Sequence, residues 1–241
     1  MSPLFVHAES RERNAPADRL RYVELPVAPV TASPVPELTS IHSARNRGPY
    51  GSRHYRGNCG GYLIRDLLRY FQPKRVLDPM VGSGTCRDVC RELGIACHTM
   101  DIRRGQDATD PASFVEQPPV DFVWMHPPYW RMIRYNDDAR CLSKAPTLDA
   151  FLDRMQLVLR NCNAVLSENG KIAVLIGGYC DGGLYQPLPH LIVERAMRES
   201  MWLACTEIIR LQHGNTSSKK AYRSSFIPGL HDMCLIFQRN R

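Results

Sequence analysis

The chain has 241 residues, enough for one large domain with a proper core or for one domain and a tail. Its apolar content of 44% is ordinary for a soluble globule, and no apolar run approaches the ~20 residues of a membrane helix. The net charge of +7 is modest, so its distribution says more than its total.

Residues 1 to about 40 are rich in Pro, Ala, Ser and Val and carry no sustained period. Prolines 26, 29, 34 and 36 exclude a long helix, so an irregular or disordered arm is expected over 1–40, ahead of one catalytic domain over 41–241. Glu9, Arg11, Glu12 and Arg13 interrupt any apolar region of a signal peptide. The nine cysteines are scattered, odd in number and include no Cys-x-x-Cys pair. They read as reduced thiols of a cytoplasmic protein without a metal site. From Ile41 to Leu77 there are eight Lys or Arg residues and one acid, Asp66, and from Ile208 to His231 there is no acid at all. Two such stretches suit a polyanionic partner, and equally two solvated loops.

Gly57 to Tyr62 is a glycine-rich turn that leads into a helix over Leu63–Phe71, closed by Pro73. A short strand over Arg75–Leu77 runs into Asp78-Pro79-Met80-Val81-Gly82-Ser83-Gly84-Thr85. A helix follows from Cys86 to about Leu93, capped by Gly94. Cys86 and Cys90, at i and i+4 on it, read as core packing rather than metal ligands. Ile95–Met100 is the next strand and ends in Asp101. This is the βαβ unit that binds an adenosine-containing cofactor.

After the polar turn Gly105–Asp110 comes the apolar run Val120–Met125, a buried strand that stops on His126-Pro127-Pro128-Tyr129-Trp130. Proline cannot extend the ladder and fixes φ, so the strand ends in a rigid elbow carrying two rings side by side. Arg131 to Pro146 is polar and aperiodic. A long amphipathic helix is predicted from about Thr147, a plausible N-cap, to Leu166, with an apolar face of Leu148, Phe151, Leu152, Met155, Val158, Leu159, Cys162 and Val165. Asn169-Gly170 marks a turn, Lys171–Ile176 a strand ending in Gly177-Gly178 beside the cleft, and Leu188–Ser200 a helix. Trp202–Leu211 and His231–Gln238 read as two antiparallel neighbouring strands. The alternation predicts an α/β fold, a doubly wound, mostly parallel sheet with an antiparallel strand near one edge.

Glycines 82 and 84 let a ligand approach the backbone at the helix start, where N–H groups are unpaired. Asp101 stands where a ribose would offer two hydroxyls to a carboxylate. An acid at Asp78 repels a pyrophosphate but suits an ammonium and a sulfonium, which favours S-adenosylmethionine over NAD or ATP.

The segment Asp78-Pro79-Met80-Val81-Gly82-Ser83-Gly84-Thr85 resembles the D-P-x-x-G-S-G-T cofactor loop of DNA amino-methyltransferases, which methylate N6 of adenine or N4 of cytosine. His126-Pro127-Pro128-Tyr129 resembles their catalytic D/N/S-P-P-Y/F motif, and the order of the motifs matches over residues 50 to 240. The resemblance implies a Rossmann-like catalytic domain and S-adenosylmethionine as cofactor. It implies that Asp78, Gly82, Gly84 and Thr85, with Pro79 and Ser83 in the same loop, line the methionine end. Asp101 would hold the ribose, Asp107 would lie near the adenine, and Asn58 near the methionine carboxylate. The catalytic set would be His126, Pro127, Pro128 and Tyr129.

An exocyclic amino nitrogen is a poor nucleophile, because its lone pair is delocalised into the base. Acceptors that take both of its N–H bonds favour the tetrahedral nitrogen that attack requires. Residue 126 and the Pro127 carbonyl would supply them, and Tyr129 would stack on a base flipped from the duplex. Position 126 departs from the family pattern: neutral imidazole has one acceptor nitrogen, and imidazolium has none. Activity is therefore expected to fall on the acid side of the His126 pKa, and a flat kcat/KM between about pH 5.5 and 8 would count against His126. Arg131 and Arg134 past the elbow, with His213, Ser217, Ser218, Lys219, Lys220 and Arg223 between the last two strands, are candidate DNA contacts. Little chain is spare for recognising a sequence, which implies short or relaxed recognition, or help from a homodimer or partner subunit, as in restriction-modification systems. The same chemistry on RNA or on a protein glutamine, or an inactive nucleic-acid-binding homologue, are the alternatives.

Overall fold

The computed structural model describes residues 33–35, 38–44, 46–212, 227 and 229–240. The elements in chain order are β1 (Ile41–His42), α1 (Tyr62–Phe71), β2 (Arg75–Asp78), α2 (Thr85–Leu93), β3 (Ala96–Thr99), β4 (Val120–Met125), α3 (Leu148–Ala164), β5 (Leu166–Ile176), β6 (Tyr179–Asp181), β7 (Leu184–Gln186), α4 (Leu188–Arg198), β8 (Met201–Leu203), β9 (Ile208–Leu211) and β10 (His231–Arg239). The arm expected over 1–40 lies mostly outside the described residues; within its last part Val35 is buried.

Among the described residues eight strands form one sheet, in the order β1-β9-β10-β5-β4-β2-β3, with β8 also on β10. β2 pairs parallel with β3 and β4, β4 with β5, and β1 with β9, while β10 runs antiparallel to β5, β8 and β9. This is the predicted α/β, Rossmann-like layout, with the antiparallel strand toward the β1 edge.

Alternation along the strands feeds two cores. Val123 and Met125 of β4, Val174 of β5 and Leu235 of β10 face α3 and α4, whereas Phe122, Trp124, Leu175 and Ile236 face α1 and α2. Six of the predicted face residues of α3 (Phe151, Leu152, Met155, Val158, Leu159 and Cys162) are fully sunk in the first core, and Thr147 caps the helix by accepting from Ala150 N at 3.1 Å. Because β2 sends its chain to β3 on one side and β4 lies on its other side, the strand order reverses at β2. A crevice opens there, beyond the carboxyl ends of β2 and β4.

Three expectations need correction. The strand expected from Lys171 begins at Leu166, and Asn169-Gly170 sits inside it. Partner registers jump from Val120↔Leu166 to Phe122↔Lys171, so the surplus residues bulge out of the ladder rather than forming a turn before it. The single strand expected over Trp202–Leu211 is two: β8 pairs with the far end of β10 and β9 with its start, and the chain bends between them. The hairpin β6–β7 was not expected. Gly182 and Gly183, both with positive φ (55° and 85°), make its two-residue turn.

Candidate active site

The crevice at the reversal point spans about 910 Å³ when the open solvent at its mouth is counted, and is lined by Asn58, Asp78, Pro79, Gly82, Ser83, Thr85, Asp101, Asp107, His126 and Pro128. Ten predicted residues from four separate stretches of chain thus meet in one cavity. Gly84 is the N-cap of α2 with φ of 89°, and Gly82 has φ of 50°, so both glycines stand in backbone conformations that other residues adopt only under strain. The Ser83 Oγ is buried and has no hydrogen-bond partner among the described residues.

Asp78 ends β2 and is buried, accepting one hydrogen bond from Met80 N at 3.1 Å. Burial pushes its carboxyl up to about 8, against the pull of that backbone N–H and of the more distant Arg87 charge. Asp101 differs. Burial alone would raise it too, but the Arg103 side chain and backbone N–H outweigh burial and hold it below the usual carboxylate range. Arg103 binds it in a fork, Nη2 to Oδ2 at 2.7 Å and Nε to Oδ1 at 3.0 Å, and reaches the Gly82 carbonyl at 3.1 Å. Asp107 turns Oδ1 onto the Thr109 N–H and hydroxyl at 2.9 and 2.8 Å. Asn58 bridges two loops: its Oδ1 accepts from the Thr85 hydroxyl and its Nδ2 donates to Ser52 O at 3.0 Å.

At the elbow, His126 points into the crevice with its Nε2 3.3 Å from the Tyr129 hydroxyl. Burial lowers the His126 pKa to about 4, partly opposed by the charge of Asp232. The ring is therefore neutral through the physiological range. Tyr129 does not line the cavity. Its ring packs beside the first core and its hydroxyl interacts with Asp232; burial first, and then that carboxylate, push its pKa well above the ordinary phenol range. Asp232, on β10, is itself held by Arg210 at 2.7 Å and Gln212 at 2.9 Å. Pro127 is buried and is not among the residues that line the cavity. Trp130, with φ of 49°, turns the chain back; its Nε1 donates to Ala145 O at 2.9 Å and anchors the turn in the core.

Gly177 and Gly178 lie behind Tyr129 and beside Tyr185 rather than in the cavity wall. Arg131 forms a forked pair with Asp181 of β6, and Arg134 pairs with Asp137 at 2.5 Å, so both predicted DNA contacts are engaged with carboxylates. His213, Ser217, Ser218, Lys219, Lys220 and Arg223 lie outside the described residues.

Sequence reasoning missed Arg103, Tyr55, Tyr135 as a wall residue, and Asp232. Tyr55 and Tyr135 stack at 5.9 Å with their planes 20° apart, and the Arg103 guanidinium lies 5.4 Å from the Tyr55 ring centroid, which closes one side of the crevice. Arg103 had a readable signal, a cation two residues after the strand-end acid. Tyr55, in a short basic turn, had none. Cys59 lines the cavity, but burial pushes its thiol up to about 12, so it offers no thiolate nucleophile.

No family model and no curated protein matches the chain. Solved structures do. TrmN from Thermus thermophilus is 19% identical with a TM-score of 0.46, over 77% of this chain and 50% of its own. TTHA0409, a candidate DNA modification methylase from the same organism solved with S-adenosyl-L-methionine, is 20% identical with a TM-score of 0.41, over 56% of this chain and 54% of its own. The glycopeptide N-methyltransferase MtfA, also solved with that molecule, is 9% identical with a TM-score of 0.46, over 84% and 93%. The chain thus spans about half the length of the first two, and at such identities a likeness concerns fold and not substrate.

Proposed function

We propose that the chain transfers a methyl group from S-adenosylmethionine to the exocyclic amino group of adenine (N6) or cytosine (N4) in DNA. The observation that carries this reading is the meeting of the Asp78–Thr85 loop and the His126 ring in one crevice. The donor set fits the cofactor. Among the described residues the buried Asp78 carboxyl has no cation in ion-pair contact, which an ammonium would supply, and the orphaned Ser83 hydroxyl and the N-terminus of α2 lie ready for a carboxylate. Asp101 keeps its charge near neutral pH and can share a ribose hydroxyl with Arg103. The cofactor supplies an electrophilic methyl group on sulfur.

The protein's own part is orientation. The Asp232 carboxylate can only accept, so it takes the Tyr129 O–H; the Tyr129 oxygen then accepts the His126 Nε2–H. That leaves Nδ1 with its lone pair, one acceptor for an amino N–H, beside the Pro127 carbonyl as the second. Two acceptors at fixed angles turn the amino lone pair out of the ring plane, toward the methyl carbon.

The test is incubation of the full chain with labelled cofactor and unmodified DNA, followed by nucleoside mass spectrometry. N6-methyladenine or N4-methylcytosine is the expected product. Label in RNA or in protein glutamine with none in DNA would overturn the DNA reading. Tight cofactor binding without transfer to any acceptor would overturn the enzymatic one.

A further inference from the structure

Cys86 and Cys90 point from α2 toward the edge strand β3, and there they meet a third thiol, Cys97. The three Sγ atoms lie within 4.8 Å of one another. Cys86 and Cys90 are buried and Cys97 is partly so, among Val76, Val89 and Ile95 of the second core. Each thiol interacts with the other two. Apart from a long contact of Cys97 Sγ with the His98 carbonyl at 3.9 Å, the triangle is sulfur facing sulfur.

Packing alone explains two cysteines one turn apart on a helix. It does not require a third sulfur from another element at the same point. A disulfide does not suit the helical pair either, because Cβ atoms four residues apart on a helix stand about 5–6 Å from each other, and a disulfide holds them near about 3.8 Å. A shared ion does suit it. A metal about 2.3 Å from three sulfurs in one plane sets them about 4.0 Å apart, so closing this triangle takes less than about 1 Å per edge. Such donors select soft, thiophilic ions over magnesium or calcium. Cys86 also lines the crevice, which gives an ion a way in.

We propose that Cys86, Cys90 and Cys97 form a trithiolate site for a thiophilic dication of the zinc group. Each thiol gives up its proton to solvent, three sulfur–metal bonds form, and no electron changes hands. The ion pins α2 to β3, the two elements that carry the Gly82–Thr85 loop and lead to Asp101, so it stiffens both ends of the crevice.

The test titrates the reduced, chelator-stripped full chain with cadmium, then with zinc as competitor. The expected result is a thiolate-to-cadmium absorbance that saturates at one ion per chain, releases about three protons and is displaced by zinc. Cys97→Ala, on the edge strand, should weaken binding at least about 100-fold, whereas Cys162→Ala and Cys234→Ala should not. Alkylation of the wild type, read at each cysteine by mass spectrometry, needs no variant to fold. Zinc should slow labelling at 86, 90 and 97 together and leave the exposed Cys205 unchanged. No saturable absorbance in the wild type, an undiminished signal in Cys97→Ala, or protection at other cysteines would overturn the proposal.

Discussion

The His126 Nε2 and the Tyr129 hydroxyl stand 3.3 Å apart, and the Asp232 carboxylate acts on that same hydroxyl, an arrangement that suits the histidine as donor of the pair. Under the proposed function, Nδ1 would then carry the lone pair that accepts the amino N–H. Burial also moves the titration of this ring. Its pKa of about 4 lies below the ordinary value, so the neutral acceptor survives into acid. Activity is still expected to fall on the acid side of the His126 pKa, but with that pKa at about 4 a flat profile between about pH 5.5 and 8 no longer counts against His126. With the cofactor saturating, kcat/KM for DNA is expected to stay flat down to about pH 5.5 and to fall by half near pH 4. A drop centred on about pH 6.5 in the measured profile would mean a solvated imidazole and defeat this assignment. Tyr129→Phe, which frees the tautomer, should lower kcat about 10- to 100-fold and leave the cofactor KM unchanged.

Asp78 makes a prediction of opposite sign. Between the unfolded carboxyl's ordinary value and about 8, the folded group keeps a proton that the unfolded chain has lost, so it drains stability as pH rises through that window. Asp78→Asn has no such slope. Measured by denaturant melts, its stability relative to wild type should improve from about pH 5 to pH 8, by no more than about 4 kcal/mol. An ammonium-bearing ligand should instead draw the proton off. Calorimetry of S-adenosylhomocysteine binding at about pH 6.5 in two buffers of different ionisation enthalpy should report about one proton released, and none in Asp78→Asn.

Asp101 depends on Arg103 for its charge. In Arg103→Ala the backbone N–H of residue 103 still donates to Asp101, but the guanidinium is gone, so burial is opposed less and the carboxyl rises. The dissociation constant for S-adenosylhomocysteine should therefore stay within about threefold of wild type at about pH 7.5 and exceed it about tenfold at about pH 5. An equal ratio at both pH values would show that Arg103 acts on the ligand directly rather than through Asp101.

Much of the crevice was legible because its signals are local. Gly82 and Gly84 announce backbone that only glycine adopts easily, the α2 period follows at once, and two prolines stop β4 where an apolar run ends. The reversal of strand order at β2 then brings Asp78, Asp101 and His126 together without any long-range detail. What stayed hidden travels farther. Asp232 and Arg210 reach Tyr129 from β10 and β9, roughly a hundred residues downstream, and no periodicity reports a contact between side chains that distant. The split of β8 from β9 likewise follows from one long partner, β10, serving both. The hairpin β6–β7 is a different case: Asp181-Gly182-Gly183-Leu184 is a readable hairpin signal, hidden only by the shortness of its strands.

Gly177 tests the wiring behind the elbow. A Cβ there would stand 2.5 Å from Asp232 Oδ1 and 3.0 Å from Tyr129 Cε2, both on side chains already fixed by other partners. Gly177→Ala should cost about 1–3 kcal/mol of stability and at least about tenfold in kcat, whereas Gly229→Ala, whose added Cβ meets open space, should change neither. Full activity in a folded Gly177→Ala would mean that Asp232 does not hold the tyrosine.

Because Asp232 sits on β10, the elbow and its support reach the folding chain at different times. During synthesis β1 to β9 leave the ribosome first, and the elbow spends that interval with its histidine tautomer unassigned. When β10 inserts between β9 and β5, it closes the sheet and delivers the carboxylate in the same step. Under the proposed function, a nascent chain with a finished Asp78–Thr85 loop would still be an idle one, its competence for chemistry withheld until the sheet is whole.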